Sequence, residues 1–451
     1  MNATQHTIDS VIVGLGTTGL SVARYLASQE RDFAVVDSRE NPPNAEDLLA
    51  STPRHFGDFN TPWLAQAKEL IVNPGIAIAT PEIAEAQKAG AAVIGDIELF
   101  ARQNKKPVVA ITGSNGKTTV TTLLDLMAKE SGVKVGTGGN IGTPALDLLK
   151  DSATELFILE LSSYQLETTP SLQTLAAVIL NISEDHLDRY DNDLEKYAEA
   201  KAVIYMNCEH IICNREDAYS LRFAKDSAQQ NMITFGMDAP ENGHYGLRQK
   251  EGLEWLAKGD QLLMPVQDIK QVGRHNVSNS LAAIALGEVA GLDMDAMLKV
   301  LRDYAGMIHR TQWLACINNV NWYNDSKGTN VGATLAALSG LAGKTVLIAG
   351  GQGKGADFLP LQSVIKEKAR AVILMGEDAQ KIAQFVDESV PTIFVNSMHE
   401  AVQEAAKYAQ GNEQDNVLLS PACASFDMFD NYAARGDIFI QEVKTREANH
   451  A

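Results

Sequence analysis

Eight consecutive residues, Thr112-Gly113-Ser114-Asn115-Gly116-Lys117-Thr118-Thr119, bring glycines, a lysine and hydroxyls into one turn. Backbone N–H groups in such a turn, with a helix N-terminus behind them, face an anion. Lys117 adds mobile positive charge, and the Thr118 hydroxyl can ligate Mg²⁺. The chemistry that suits this set is capture of ATP or GTP. The spacing is short. Gly113 and Gly116 are separated by two residues where the usual phosphate loop has four, and Ile111 stands in the place of the first glycine.

Other residues carry chemistry at the ends of apolar runs. Glu160 follows Leu156-Phe157-Ile158-Leu159, and a carboxylate there suits Mg²⁺; the alternative is a solvated strand-end acid. His186 lies in Asn181-Ile182-Ser183-Glu184-Asp185-His186-Leu187-Asp188-Arg189, where a metal or substrate ligand belongs, the alternative being a structural histidine. Lys201 shares a helical segment with Tyr197, Ile204 and Tyr205; by itself it reads as a surface lysine. The turn Asn324-Asp325-Ser326-Lys327-Gly328-Thr329-Asn330 and the glycine-rich turn around Lys354 each hold a lysine after a strand. Such lysines suit carboxylate or phosphate recognition as point charges, or are merely exposed. Gly14-x-Gly16-x-x-Gly19, with Asp37 further on, satisfies a dinucleotide-binding fingerprint. It fits an NAD(P) enzyme, yet a turn of this kind recognises any diphosphate, that of a UDP-sugar included. Arg39 beside it could meet a phosphate or a uracil carbonyl.

The elements that must position these residues fall into three α/β blocks. In the first, strands at Ser10–Val13, Phe33–Val36 and Ala91–Gly95 are predicted, with a helix from about Leu20. The second has strands at 108–111, Leu156–Leu159 and Ala176–Leu180. It also has a helix over Val120–Lys129 with apolar Leu123, Leu124 and Met127, added antiparallel strands between Phe235 and Gln271, and an alanine-rich helix over Val277–Ala290. The third has strands at Val320–Tyr323, Thr345–Ala349, Ala371–Met375 and Val417–Leu419. Strands alternating with helices imply largely parallel sheets with ligands at strand C-termini. The expected domains span residues 1–96, 97–306 and 307–451.

Composition agrees with such an enzyme. A chain of 451 residues exceeds what one core serves. Its 45% hydrophobic and 21% charged residues are ordinary for a globular protein. A net charge of −19 without a basic run argues against nucleic-acid or anionic-membrane partners. No signal pattern opens residues 1–10, and no apolar stretch is long enough to span a bilayer, so a cytoplasmic protein is expected. The four cysteines, Cys208, Cys213, Cys316 and Cys423, lack C-x-x-C spacing and read as buried free thiols.

Taken together, the motifs resemble the Mur ligase family of bacterial peptidoglycan synthesis. In order they are GLGTTG at 14–19, DSR at 37–39, NPGI at 73–76, GDIELF at 95–100, the phosphate loop at 112–119 and GGNIGTPAL at 138–146. Then come ELSSYQLE at 160–167, NISEDHLDRY at 181–190, HNVSN at 275–279, HR at 309–310, NDSKGTN at 324–330, GGQGKGADF at 350–358 and SPACASFDMF at 420–429. They cover nearly the whole chain, and the short phosphate loop is the form this family uses. Asn-Ile-Gly after Gly-Gly and Ser-Pro-Ala-Cys-Ala-Ser point to the D-glutamate-adding branch, and the Asp-Asn-Pro-Arg motif of diaminopimelate-adding relatives is absent. Ile308, where proline commonly precedes His-Arg, and Gly328, where alanine commonly follows the lysine, depart from the family pattern.

The resemblance implies a three-domain α/β fold. Its N-terminal domain is Rossmann-like, its central ATP-binding domain has a mostly parallel sheet with added antiparallel strands, and its C-terminal domain is Rossmann-like. It implies that Gly14, Thr17, Thr18, Ser38 and Arg39 hold the uridine diphosphate end of the substrate, with Asn140 and His186 toward the muramoyl end. ATP is assigned to Gly113, Ser114, Asn115, Gly116, Lys117, Thr118 and Thr119, its adenine to Asn276 and Asn279, and its ribose or phosphates to His309, Arg310 and Asp325. D-Glutamate is assigned to Lys327, Thr329, Lys354, Ser425, Phe426 and Tyr432. Two Mg²⁺ ions are implied at Thr118, Glu160, His186 and Lys201, the last as a carbamate, which reverses its reading as a surface lysine. Lys117, Glu160, His186 and Lys201 then form the catalytic group. His186 is expected to position or relay a proton.

The implied reaction is ATP-dependent amide formation between UDP-N-acetylmuramoyl-L-alanine and D-glutamate through an acyl phosphate, releasing ADP and phosphate. It serves cell-wall biogenesis, and with it cell shape and division. A monomer is expected, with the third block closing on the second before chemistry. Three other readings remain at this stage: a folylpolyglutamate-synthase-like ligase, an NAD-dependent dehydrogenase and a catalytically dead ATP-binding scaffold.

Overall fold

The computed structural model describes residues 8–227, 231–271, 273–409 and 415–448. Among these residues the strands form three sheets. The first runs Arg54–Phe56, Phe33–Asp37, Ser10–Val13, Glu69–Val72, Ala92–Ile94, parallel throughout. Val11, Ile12, Val13, Val35 and Val36 are buried. Continuous apolar runs of this kind are what a sheet covered on both faces requires.

The second sheet runs Gln261–Pro265, Leu253–Lys258, Tyr245–Lys250, Met232–Phe235, Cys208–Asn214, Thr174–Ile179, Val108–Thr112, Leu156–Glu160, Val135–Gly139. Its outer strands Tyr245–Lys250, Leu253–Lys258 and Gln261–Pro265 pair antiparallel, and the other pairings are parallel. The third runs Gln312–Ile317, Val320–Asn324, Asp415–Leu419, Thr345–Gly350, Ala369–Met375, Thr392–Phe394, with only the first pairing antiparallel. No helix among the described residues is long and apolar enough to cross a membrane.

Several strands have no counterpart in the sequence reading: Arg54–Phe56, Glu69–Val72, Val135–Gly139, Cys208–Asn214, Met232–Phe235, Gln312–Ile317 and Thr392–Phe394. The cysteine reading holds for Cys208, Cys213 and Cys423, which are buried and free. Cys316 is free but exposed, because it sits on the edge strand Gln312–Ile317.

The three units join differently. One apolar cluster runs from Ile12, Leu20 and Leu26 of the first unit through Phe100 into Phe157 and Leu159 of the second. Phe100 meets Phe157 edge to face, with ring centres 5.1 Å apart. Named contacts of the third unit with the second are polar instead, such as Arg310 to Thr118 and Asn330 to Asn115.

Asp96 lies at the apolar junction, at the start of the helix Asp96–Gln103, and is buried. Burial pushes its pKa from 3.8 up to about 6, only partly offset by Gln165 and the N–H groups of Asp96 and Ile97. The folded value lies above the unfolded one, so the folded state binds the proton more tightly. The charged form therefore costs stability above pH 6, and that cost disappears below the unfolded value. Asp96→Asn is expected to stabilise the protein at pH 8 by up to roughly 3 kcal/mol. The gain should vanish as the pH falls below about 4. Thermal midpoints of both proteins across this range test the sign; equal midpoints at pH 8 would contradict it.

Candidate active site

The helix Lys117–Glu130 forms because Val120, Leu123, Leu124 and Met127 share one face, and all four are fully buried. It begins three residues before the predicted start. Its cap, Gly116, has φ +86°, and a Cβ there would stand 2.5 Å from Asn279 Oδ1, so both conformation and space call for glycine. The loop is fastened to the segment after Thr174–Ile179. Ser114 N–H donates to the Asn181 carbonyl, Asn115 N–H to Asn181 Oδ1 and Ser183 N–H to Ser114 Oγ, each at 2.9 Å. Lys117 Nζ donates to the carbonyls of Gly113 at 2.7 Å and Ser114 at 3.0 Å. Burial lowers its pKa, against the pull of Glu160 and Asp185.

Glu160 is buried rather than solvated, at 1% exposure. Its Oε1 accepts from Asn140 Nδ2 at 2.8 Å, and its Oε2 is buried without a partner among the described residues. Lys201 is likewise not a surface residue. It is 2% exposed, its Nζ is 3.4 Å from Thr112 Oγ1 and 4.6 Å from the centre of the Tyr197 ring. Burial, reinforced by the charge of Lys117, holds its pKa well below the ordinary lysine value. Its helix, Leu194–Ala202, is capped by Asp193, whose carboxylate accepts from Glu195 N–H. Among the described residues no three His, Cys, Asp or Glu side chains converge as a metal-ligand set.

A cavity of about 770 Å³ opens beside the phosphate loop, a size that fits a nucleotide-sized ligand. Asn115, Gly116, Thr119, Asp185, His186, Asn276, Asn279, Arg310, Asp325, Lys327, Thr329 and Lys354 line it. It lies between the second and third units. Arg310 Nη2 donates to Thr118 Oγ1 at 2.8 Å, and Asn330 Nδ2 reaches Asn115 Oδ1 at 3.4 Å and Asp185 Oδ2 at 3.5 Å. His186 has φ +55° and stands at the rim, 52% exposed, with Nε2 3.7 Å from Asp185 Oδ1. Burial and the neighbouring Arg310 bring Lys327 down to about 8, and burial pushes Asp325 up to about 6.

Not every predicted residue reaches this cavity. His309 does not line it; its Nδ1 is 2.9 Å from Asn324 Nδ2, and its ring meets Tyr432 edge to face. Ser425, Phe426 and Tyr432 are also outside its lining. The two aromatics touch its lysines instead. Lys327 Nζ lies 3.9 Å from the Tyr432 ring centre and Lys354 Nζ 5.6 Å from that of Phe426. Gly14, Thr17, Thr18, Ser38 and Arg39 are at the C-terminal end of the first sheet, away from this cavity. There Asp37 accepts from Leu15 N–H at 2.7 Å and pairs with Arg39 at 2.6 Å. Tyr164, Glu167, Thr112, Asn181 and Ser183 were given no role of their own from the sequence, although all five lie within the motifs 112–119, 160–167 and 181–190.

Comparisons with known proteins agree along the whole chain. The profile of the Mur ligase MurD-like N-terminal domain matches residues 8–95, that of the Mur ligase middle domain 111–287, and that of the Mur ligase glutamate ligase domain 309–423. UDP-N-acetylmuramoylalanine–D-glutamate ligase of Nitrosococcus oceani is 49% identical over 440 residues, 96% of each chain. The enzyme of the same name from Pseudomonas putida is 49% identical over 438 residues, again 96% of each. Among solved structures, MurF ligase from Thermotoga maritima in complex with ADP shares the fold. Its TM-score is 0.60 at 16% identity, covering 99% of this chain and 97% of that one. Folylpolyglutamate synthase of Mycobacterium tuberculosis shares it more narrowly, with a TM-score of 0.58 at 14% identity, over 76% of this chain and 92% of that one. With three domain profiles matched in order and near-full-length relatives at this identity, the chain belongs to the Mur ligase family.

Proposed function

We propose that this chain is an ATP-dependent ligase that joins D-glutamate to UDP-N-acetylmuramoyl-L-alanine in the cytoplasm, acting as a monomer with domains 1–96, 97–306 and 307–451. The observation that carries the reading is the phosphate loop with Lys117 set beside two buried groups, Glu160 and Lys201. The names of the near-full-length relatives support the choice of substrates.

Mg²⁺ fits the residues present. Glu160 Oε2 is a buried oxygen without a partner, and the Thr118 hydroxyl stands at the loop's helix N-terminus. Those two, with His186 and Lys201 as a carbamate, would hold it. When bound it neutralises charge on the phosphoryl oxygens. The loop N–H groups and Lys117 orient the γ-phosphate for attack by the substrate carboxylate, giving an acyl phosphate and ADP. Asn276 and Asn279 would meet adenine, and Arg310 and Asp325 the ribose or phosphates. Lys327, Thr329 and Lys354 would grip D-glutamate, whose amine then attacks the activated carbonyl, and the tetrahedral intermediate collapses to the amide and phosphate. The first domain's glycine turn, with Thr17, Thr18, Ser38 and Arg39, would take the uridine diphosphate, and Asn140 the muramoyl end. Closure of the third domain over the second completes the site.

The test is phosphate release from ATP and Mg²⁺ with UDP-N-acetylmuramoyl-L-alanine, adding D-glutamate, L-glutamate or meso-diaminopimelate separately. Release that needs both the nucleotide substrate and D-glutamate, with the matching amide formed, is the expected result. Release with another amino acid would change the acceptor. Silence with every acceptor, from protein that binds ATP, would overturn the reading.

A further inference from the structure

Arg189 ends the segment that carries His186, and no role above uses it. Its side chain is 12% exposed. The guanidinium donates to the carbonyl of Pro74 at 2.9 Å and to that of Ile76 at 3.1 Å. It also lies 4.1 Å from the centre of the Tyr164 ring and 3.3 Å from Glu167 Oε2. Glu167 is held in turn by the Tyr190 hydroxyl. A planar fork with five donors can meet two carbonyls, a carboxylate and a ring face together; an ammonium cannot.

Each end of this contact leads to a different part of the site. Pro74 and Ile76 belong to the 73–76 loop, which is fastened beneath the glycine turn. Asn73 N–H donates to the Val13 carbonyl at 2.9 Å. Gly14 has φ +95°, and a Cβ there would stand 2.6 Å from Ile76 Cδ1 and 3.0 Å from Asn73 Cβ, so turn and loop are in direct contact. At the other end Arg189 N–H donates to the His186 carbonyl at 3.1 Å, and the His186 ring meets Tyr164 edge to face at 5.4 Å. Tyr164 thus lies against both the guanidinium and the imidazole. Arg189 is therefore in contact at once with the loop beneath the glycine turn and with the segment that carries His186.

We propose that Arg189 is a positioning residue that couples the diphosphate-binding turn of the first domain to the His186 segment of the second. Through it, occupancy of the nucleotide end of the substrate sets the geometry at the reacting carboxylate. Binding energy from a remote part of the substrate then raises turnover, not affinity alone. The proposal rests on the functional reading above.

The experiment compares the full-length enzyme with Arg189→Met and Arg189→Lys. Two acceptors are used: the complete UDP-linked substrate and N-acetylmuramoyl-L-alanine 1-phosphate, which lacks uridine. The unaltered enzyme is expected to turn over the complete substrate with the higher kcat. Arg189→Met should lose about 10- to 100-fold in kcat on the complete substrate. On the truncated acceptor it should lose nothing, with the KM for ATP unchanged. Arg189→Lys should not restore the loss. Equal losses on both acceptors, rescue by lysine, or an unaltered enzyme that treats the two acceptors alike would each overturn the coupling.

A readout free of turnover is amide exchange across residues 183–190. UDP should slow it in the unaltered enzyme and not in Arg189→Met; slowing in both overturns the proposal. Should Arg189→Met fail to fold, Arg189→Gln, which removes the charge and the fork, carries the same expectations. Failure of the functional reading is distinguishable, because it appears as silence of the unaltered enzyme on the complete substrate.

Discussion

Lys117→Ala is expected to lower phosphate release by about 10³-fold, the cost of removing one preorganised charge from a phosphoryl-transfer site. Geometry gives the reason to expect so large an effect without loss of the fold. Among the described residues Lys117 Nζ is bonded to the carbonyls of its own loop, Gly113 and Ser114, so truncation strands no distant partner there. The loop itself stays fastened through Ser114, Asn115, Asn181 and Ser183. The thermal midpoint should therefore move by no more than a few degrees, about what 1 kcal/mol or less produces. Lys117→Arg should recover little, since a guanidinium is bulkier and its fork is set differently from a point charge. Single-turnover release of phosphate, beside the midpoints, separates catalysis from folding. Undiminished turnover in Lys117→Ala would remove the loop from the reaction.

What could be read from the sequence divides along physical lines. Strands that are unbroken apolar runs, such as Val108–Thr112 and Leu156–Glu160, announce themselves because both faces are buried. Val135–Gly139 reads Val-Gly-Thr-Gly-Gly and offers no such run. It becomes a strand only because the edge of Leu156–Glu160 is there to pair with. The phosphate loop was readable because its chemistry is local to eight residues.

The side that each residue takes at the junction of two domains was not. His309 and Arg310 are neighbours in sequence, yet one points to Asn324 and Tyr432 and the other to Thr118, and adjacency in an irregular segment says nothing about side. Phe426 and Tyr432 were placed beside D-glutamate by resemblance; their rings stand against Lys354 and Lys327, two lysines that line the cavity. Lys201 is the instructive miss of the residue-by-residue reading. Tyr197, Ile204 and Tyr205 lie four residues before it and three and four after, all buried on the face that Lys201 shares. That spacing already required a buried lysine.

A buried lysine beside a phosphate loop needs a reason. Burying an ammonium is costly unless it is paired. Yet among the described residues Lys201 Nζ makes its contacts with the Thr112 hydroxyl at 3.4 Å and the Tyr197 ring, and burial with the charge of Lys117 outweighs the more distant carboxylates of Asp185 and Glu160. Burial therefore favours the neutral amine, the form that adds CO₂ to give a carbamate. The addition joins amine nitrogen to carbon, releases one proton and leaves an anion with two oxygens. Such a group would answer the charge of Lys117 and, with Glu160 Oε2, would complete a cation-binding pair of acids. Lys201→Ala is expected to lose about 10²- to 10³-fold in turnover, as the removal of one electrostatic contributor would.

Millimolar formate or acetate should restore part of that loss, because a small carboxylate fits the space the side chain leaves and supplies the missing oxygens. Lys201→Arg should not be rescued, since its charge stays and its space is filled. Stripping CO₂ from the buffer should lower the activity of the unaltered enzyme reversibly, and ¹³CO₂ should give a carbamate resonance that Lys201→Ala lacks. If turnover ignores CO₂ and carboxylates rescue nothing, Lys201 is a neutral spacer beneath Thr112. Glu160, Thr118 and His186 would then have to hold the cation without it.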